Sequence, residues 1–245
     1  MANDSDKKNN KTKKYLLKFW KWGKRIFFWL FIAQLFYIII LKWVNPPITT
    51  TQFVSWVSGH GFKRDYVSRK NISPDAKLAV IAAEDQLFPD HQGFDWKSIK
   101  KAMAYNKKKP GRIRGGSTIS QQVAKNIFLW QGRSWVRKGL EVYFTFMIEK
   151  IWGKKRILEL YLNEVEMGEG IFGIGMAAKE YFNKSAKNLN RQEAARIAAC
   201  LPNPKKYTVK PLSGVVISRS LWVIRQMNNL ETDPDIQNII GKPPP

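Results

Sequence analysis

Ile26 to Leu41 is a run of sixteen residues in which only Gln34 is strongly polar. No other stretch restricts the chain as much, because a helix that is apolar on every side must be buried in protein or in lipid. Trp43 and Val44 carry the run past Lys42, and Phe19, Trp20 and Trp22 stand before it, where an interfacial aromatic belt would lie. Although slightly short of the roughly 20 residues of a full span, the stretch reads as one transmembrane helix over 26–44. Two alternatives stay open: a core helix, or a signal peptide, against which Lys42-Trp43-Val44-Asn45-Pro46-Pro47 offers no small-residue cleavage site.

Charge gives this helix a direction. Residues 1–25 carry nine Lys or Arg against two Asp and show no apolar period before Tyr15, so they are expected to form a disordered basic tail. The positive-inside rule puts that end in the cytoplasm and everything after Pro47 on the far side. The whole chain holds 42 Lys and Arg against 19 Asp and Glu, a net +23, and removing the tail's +7 leaves +16. The folded part is thus basic in its own right and suits an anionic partner: acidic lipids, a phosphorylated substrate or nucleic acid. No nucleic-acid motif is present and the basic clusters lack interleaved aromatics, so no nucleic-acid partner is expected. The single cysteine, Cys200, excludes an internal disulfide, and two histidines without a Cys cluster argue against structural zinc. Within Ala198-Ala199-Cys200-Leu201 it reads as a buried small hydrophobe.

The remainder divides into a juxtamembrane connection over 45–72, without clear period, and one mainly α domain over 73–245. Ser73-Pro74-Asp75 is a cap, a Pro at the first helical position and an early acid. The helix they start has an apolar stripe of Leu78, Ile81 and Ala82 and delivers Glu84 and Asp85 at its end. Asp95 caps the next helix, with Trp96, Ile99 and Met103 as its apolar side. Lys107 to Gly116 is a basic, Gly-containing loop, either simply solvated or suited to closing on an anionic ligand. Ser134 caps a long helix from Trp135 to about Trp152, on which Arg137 and Lys138 reach Glu141 as ordinary surface ion pairs. Helices follow over Ile157–Val165, Met176–Phe182, Arg191–Leu201 and Val215–Leu230. The glycines at 168, 170, 173 and 175 are expected to make a flexible connection.

Between the basic loop and the long helix lies Gly115-Gly-Ser-Thr-Ile-Ser-Gln-Gln-Val-Ala-Lys-Asn126. Ser117 or Thr118 can cap a helix whose first-turn amides would offer a place for an anion. Thr118, Gln122 and Lys125 then share one face, while Ile119, Val123 and Ile127 form the opposite apolar stripe. Glu84 follows an Ala-rich turn, where partial burial would raise its pKa toward a useful value for a base. Lys125 and Arg137 are candidate anion holders. Spacing alone does not bring Glu84, Lys125 and Glu141 together.

Glu84-Asp-Gln-Leu-Phe-Pro-Asp-His-Gln-Gly-Phe-Asp95 resembles the first motif of the peptidoglycan glycosyltransferases, glycosyltransferase family 51. Gly115 to Asn126 resembles the second, and Arg133-Ser-Trp-Val-Arg-Lys-Gly-Leu-Glu141 the third. Ile157-Leu-Glu-Leu-Tyr-Leu-Asn163 and Ala177-Ala-Lys-Glu-Tyr-Phe182 look like the later two. The resemblance runs in order from about Ser73 to Tyr207. Ser120 stands where many relatives have Thr, which keeps the hydroxyl. Ser98-Ile99-Lys100-Lys101 matches a Ser-x-x-Lys pattern, but no Lys-Thr-Gly follows, and a transpeptidase domain is not expected.

The resemblance implies a lysozyme-like helical domain with a small membrane-proximal subdomain drawn from part of 45–72 and the basic loop. It implies polymerisation of lipid II into β-1,4 glycan, with inversion at the donor MurNAc and release of undecaprenyl pyrophosphate. Glu84 then matches the general base and Glu141 the second carboxylate. Lys125, Arg133 and Arg137 match the pyrophosphate holders, and Asp85, Phe88, His91, Ser117, Thr118, Gln122 and Asn126 other substrate-binding positions. For His91, a purely structural hydrogen bond is an equal alternative. No tightly bound cofactor and no metal ligand set is expected, only a loosely held Mg²⁺ or Mn²⁺ at the pyrophosphate. Expected partners are lipid II, the growing strand, anionic lipids, and cell-wall synthases or divisome proteins, with the catalytic domain in the periplasm of a bacterial inner membrane. A lytic transglycosylase and a non-catalytic basic module are the competing classes.

Overall fold

The computed structural model describes residues 2–109, 115–132 and 134–242, and the chain divides into two units, 1–44 and 45–245. The first is a single helix, α1 (Ala2–Ile40). Its segment Lys13–Ile40 is long and apolar enough to cross a membrane, and only 6% of its apolar window is buried, which sets it apart from a core helix. The expectation of a disordered tail is corrected: the helix continues back through the lysines to Ala2. No proline interrupts the stretch, and its lysines are good helix formers, but Asn3, Asp4, Ser5, Asp6, Asn9 and Asn10 are weak ones, so the helix here extends the apolar segment rather than following from local propensity.

The second unit is almost entirely helical. Helix α2 (Thr50–Val57) opens it under a capping box made by Thr49 and Gln52. Strand β1 (Lys63–Arg64) and a 3-10 turn at Arg69–Asn71 follow. Then come α3 (Pro74–Glu84), α4 (Trp96–Lys108), α5 (Ile119–Phe128), α6 (Trp135–Ile151) and α7 (Lys154–Glu164). A short hairpin, β2 (Glu166–Gly168) and β3 (Ile171–Phe172), leads into α8 (Gly173–Phe182), α9 (Arg191–Cys200), α10 (Gly214–Leu230) and α11 (Pro234–Ile240). The sheet has the order β1-β3-β2, with β1 parallel and β2 antiparallel to β3.

Two packed groups meet around the end of α3. Helix α3 lies on α9 and α10, and α5 lies on α6 and α7. Leu78, Ala79, Val80 and Ile81 are buried on nearly every side of α3, which fits a helix at the centre of an all-α core. On α5 the stripe Ile119, Val123 and Ile127 faces inward as its period requires. Cys200 is fully buried, its thiol bonded to the carbonyls of Met167 and Ile197, and burial pushes its pKa to about 12.

Residues 45–72 are more than a connection. Asn163 of α7 accepts from Val67 N–H at 2.8 Å and donates to Val67 O at 3.0 Å, standing in for a neighbouring strand. Glu159 accepts from Arg69 N–H. Deeper, the buried Glu164 accepts from Gln52 at 2.6 Å and pairs with Arg64, whose guanidinium also donates to the carbonyls of Pro46 and Pro47. The glycines 168–175 are likewise no flexible connection. At Gly173, φ is +79° and a Cβ would run into the Asn163 backbone; at Gly170 it would meet His60 O. They are the points where the hairpin and α8 touch the rest of the unit.

Two other expectations change. Trp96 and Met103 are exposed, so the apolar side of α4 does not enter the core. Helix α11, started by Asp233-Pro234, lies beyond the anticipated helices. The basic loop over 107–116 begins inside α4, and its residues 110–114 lie outside the described residues.

Candidate active site

The site assembles where α3 ends. Ser73 caps α3 through Ala76 N–H, and eleven residues later the helix places Glu84 in its last position and Asp85 at its C-cap. Asp85 turns away from Glu84's side to accept from Ile119 N–H at 2.9 Å and from His91 Nε2 at 3.0 Å. His91 Nδ1 accepts from Gly93 N–H, which leaves the ring proton on Nε2 for Asp85. Thr118 Oγ1 donates to Gly93 O at 2.7 Å and also receives Gln121 N–H in a capping box. Asp85, His91 and Thr118 therefore lace the loop 85–93 to the start of α5.

That lacing corrects one expectation. The first turn of α5 was to offer free amides to an anion, but Ile119 N–H is spent on Asp85 and Thr118 and Gln121 N–H on the capping box, so three of the four amides from Thr118 to Gln121 are taken. The negative charge favoured at a helix N-terminus is already supplied by Asp85. Phe88 is fully buried, with the ammonium of Lys154 4.6 Å above its ring. Behind α5, Ser120 donates to Glu149, which also pairs with Lys154.

The free face of α5 meets Glu84. Gln122 Nε2 donates to Glu84 Oε2 at 2.8 Å, and Gln122 Oε1 accepts from Tyr161 of α7 at 3.3 Å. Burial raises the Glu84 pKa; the Gln122 bond and the charges of Arg219 and Lys125 oppose the shift without cancelling it. One turn along, Lys125 lies in the field of Glu141, Arg137, Lys138 and Glu84, and burial lowers its pKa. Glu141, 3% exposed, accepts from Arg137 at 2.8 Å and from Lys138. The expected surface pair is thus a buried one. Hydrogen bonds and electrostatic contacts link Glu84, Gln122, Lys125, Arg137 and Glu141 in one set: a carboxylate inclined to hold a proton beside a cluster of cations.

The other anticipated residues lie elsewhere. Ser117 is exposed beside the α5 cap. Asn126 accepts from Thr51 of α2, which in turn accepts from Gln131. Arg133 lies outside the described residues. Tyr161 stands in the fourth motif of the sequence reading without a role of its own, and Arg219 is absent from that reading. Arg219, on α10, acts on Glu84 through its charge, and its buried Nε has no hydrogen-bond partner. It stands in a chain of 42 Lys and Arg with no local mark of its own.

A family model described as Transglycosylase matches residues 50–228 of this chain. The chain belongs to the transglycosylase family. A biosynthetic peptidoglycan transglycosylase of Escherichia coli is 55% identical over 190 residues, covering 76% of this chain and 78% of that protein. One from Yersinia pseudotuberculosis is 48% identical over 222 residues, covering 88% and 92%. The family match begins at the first residue of α2, so this transglycosylase's domain takes in much of 45–72, in keeping with the bonds from Glu159, Asn163 and Glu164.

Proposed function

We propose that this chain polymerises lipid II into β-1,4-linked peptidoglycan strands at the outer face of a bacterial inner membrane, anchored by α1 with its basic N-terminal end in the cytoplasm. The observation that carries the reading is Glu84: its pKa raised by burial, oriented by Gln122, with Lys125 and Arg219 acting on its charge. A carboxylate of raised pKa is matched to removing a proton from a sugar hydroxyl at neutral pH. Glu84 takes the proton of the acceptor's 4-hydroxyl as that oxygen attacks the anomeric carbon of the donor MurNAc. The α-linked pyrophosphate leaves with its undecaprenyl chain, and the new bond is β. Lys125 and Arg137 offset the charge that builds on the leaving group, and Glu141 keeps the two cations in place.

The surface suits a substrate with a lipid tail. Trp135 is 92% exposed, and Val136, Val142 and Phe146 of α6 and Trp96 and Met103 of α4 are also open, large apolar side chains that a lipid could cover. A divalent ion finds no ready ligand set: among the described residues no three His, Cys, Asp or Glu gather to hold one, and Glu141 is committed to Arg137 and Lys138.

The test is full-length protein in detergent with labelled lipid II, products resolved by size. Wild type should build polymer, and Glu84→Gln should lose at least about a hundredfold in rate, the usual worth of a general base, while still binding lipid II. Polymer from Glu84→Gln would overturn the base; no polymer from wild type, but fragments from purified sacculi, would overturn the direction of the reaction.

A further inference from the structure

Gln122 can meet Glu84 in two ways, and the structure contains a residue that chooses between them. An ionised carboxylate only accepts, so the Gln122 atom facing it must be Nε2, which leaves Oε1 on the far side. There it finds the hydroxyl of Tyr161, 3.3 Å away. Tyr161 is 1% exposed, and burial, reinforced by Glu84, Cys200 and Asp85, holds its phenol well above the ordinary range. Its proton is therefore available at every working pH.

Turning the amide by 180° would aim its NH₂ at the Tyr161 oxygen, leaving the buried phenol proton with no acceptor among the described residues, and would aim Oε1 at Glu84. That arrangement satisfies only a protonated Glu84, which could donate to it. The choice of amide orientation and the choice of protonation state are the same choice. The other groups around Glu84 act differently: Asp85 beside it in the chain, Lys125 from α5 and Arg219 from α10 bear on its charge whichever way the amide lies. Hydrogen bonds in such a chain also strengthen one another, so donation from Tyr161 sharpens the donation from Gln122.

We propose that Tyr161 is a positioning residue for glycosyl transfer: by donating to Gln122 Oε1 it holds the amide with its NH₂ toward Glu84 and keeps that carboxylate in its proton-accepting form. The inference rests on the reading of Glu84 as the base. Tyr161 touches no substrate; its whole effect passes through one side-chain amide.

The experiment is the pH dependence of kcat for lipid II polymerisation by the full-length protein in detergent, for wild type, Tyr161→Phe, Gln122→Ala and the double variant. Phenylalanine keeps the ring and so the packing between α7 and α5. Losing one buried hydrogen bond, spread over the two protonation states, should move the acid limb of Tyr161→Phe up by about 0.5–1 pH unit. The loss should be about three- to tenfold below the limb and shrink as pH rises, with KM little changed. In the Gln122→Ala background the same substitution should move the limb no further. A uniform loss at all pH values, or effects that multiply in the double variant, would mean that Tyr161 only packs, and would overturn the proposal. Glu84→Gln in the same assay separates the two failures: if it stays active, the base assignment falls; if it is inactive while Tyr161→Phe leaves the limb in place, only the role of Tyr161 falls.

Discussion

Glu141→Gln separates two readings of the same residues by their size. As an exposed i, i+4 and i, i+3 pair on a helix, Glu141 would be worth a few tenths of a kcal/mol. In the structure its side chain is 4% exposed and that of Arg137 11%, whereas Lys138 is 44% exposed. Glutamine keeps the shape and one acceptor but removes the charge, leaving Arg137 and Lys125 facing each other below the surface. Breaking a buried pair from one side costs about 3–5 kcal/mol, and the retained acceptor puts this substitution near about 3 kcal/mol. For a unit spanning 45–245, each kcal/mol shifts Tm by roughly 2–4 °C, so the midpoint should fall by about 6–12 °C. Lys138→Ala, which removes the solvated partner, should cost at most about 1 kcal/mol. Thermal unfolding of the detergent-solubilised proteins by circular dichroism reads both. If Glu141→Gln shifts the midpoint no more than Lys138→Ala, the carboxylate is solvated and its proposed hold on Lys125 and Arg137 fails with it.

Two further outcomes test other parts of the molecule. Lys77 is buried on α3, donates to Ile240 O at the end of α11, and has its pKa lowered to about 8 by burial and by Arg69. Because the folded state gives up this proton first, its contribution to stability improves as pH rises from about 8 toward the ordinary 10.5 and is least favourable below pH 8. The wild-type-minus-Lys77→Met difference in urea unfolding free energy should therefore rise across that window; a flat difference would show that the ammonium is solvated. Gly173→Ala combines φ +79° with a Cβ driven into the Asn163 backbone. It should cost about 3 kcal/mol or more and lower Tm by at least about 6 °C, and a midpoint within 2 °C of wild type would contradict the packing described.

The helix starts were legible because capping is local. Ser73, Asp95, Thr118, Ser134 and Asn190 each bond an amide three residues on; Ser73, Asp95 and Ser134 stand out as caps in the sequence, and Thr118 does so beside Ser117 as the alternative. Asp233-Pro234 carried the same mark for α11. The segment 45–72 was not legible, because the groups that order it, Glu159, Asn163 and Glu164, stand about a hundred residues away and impose no period on it. The glycines misled for a related reason: local composition reads them as freedom, whereas Gly170 and Gly173 are small because a neighbouring backbone occupies the space of a Cβ. Within the site, the shared face of Gln122 and Lys125 followed from helix geometry. That Asp85 would consume the α5 amide, or that Arg219 would act on Glu84 from α10, depends on the packing of whole helices against one another.

Cys200 has a practical consequence. It is the chain's single thiol, sealed in the core and held near pKa 12, so it offers almost no thiolate to an alkylating reagent at neutral pH. For maleimide chemistry the native chain behaves as if it had no cysteine. A single cysteine introduced at Trp96 or Trp135 would accept a fluorophore or spin label alone, with the background left wild type, and could report how deeply each exposed rim enters a bilayer.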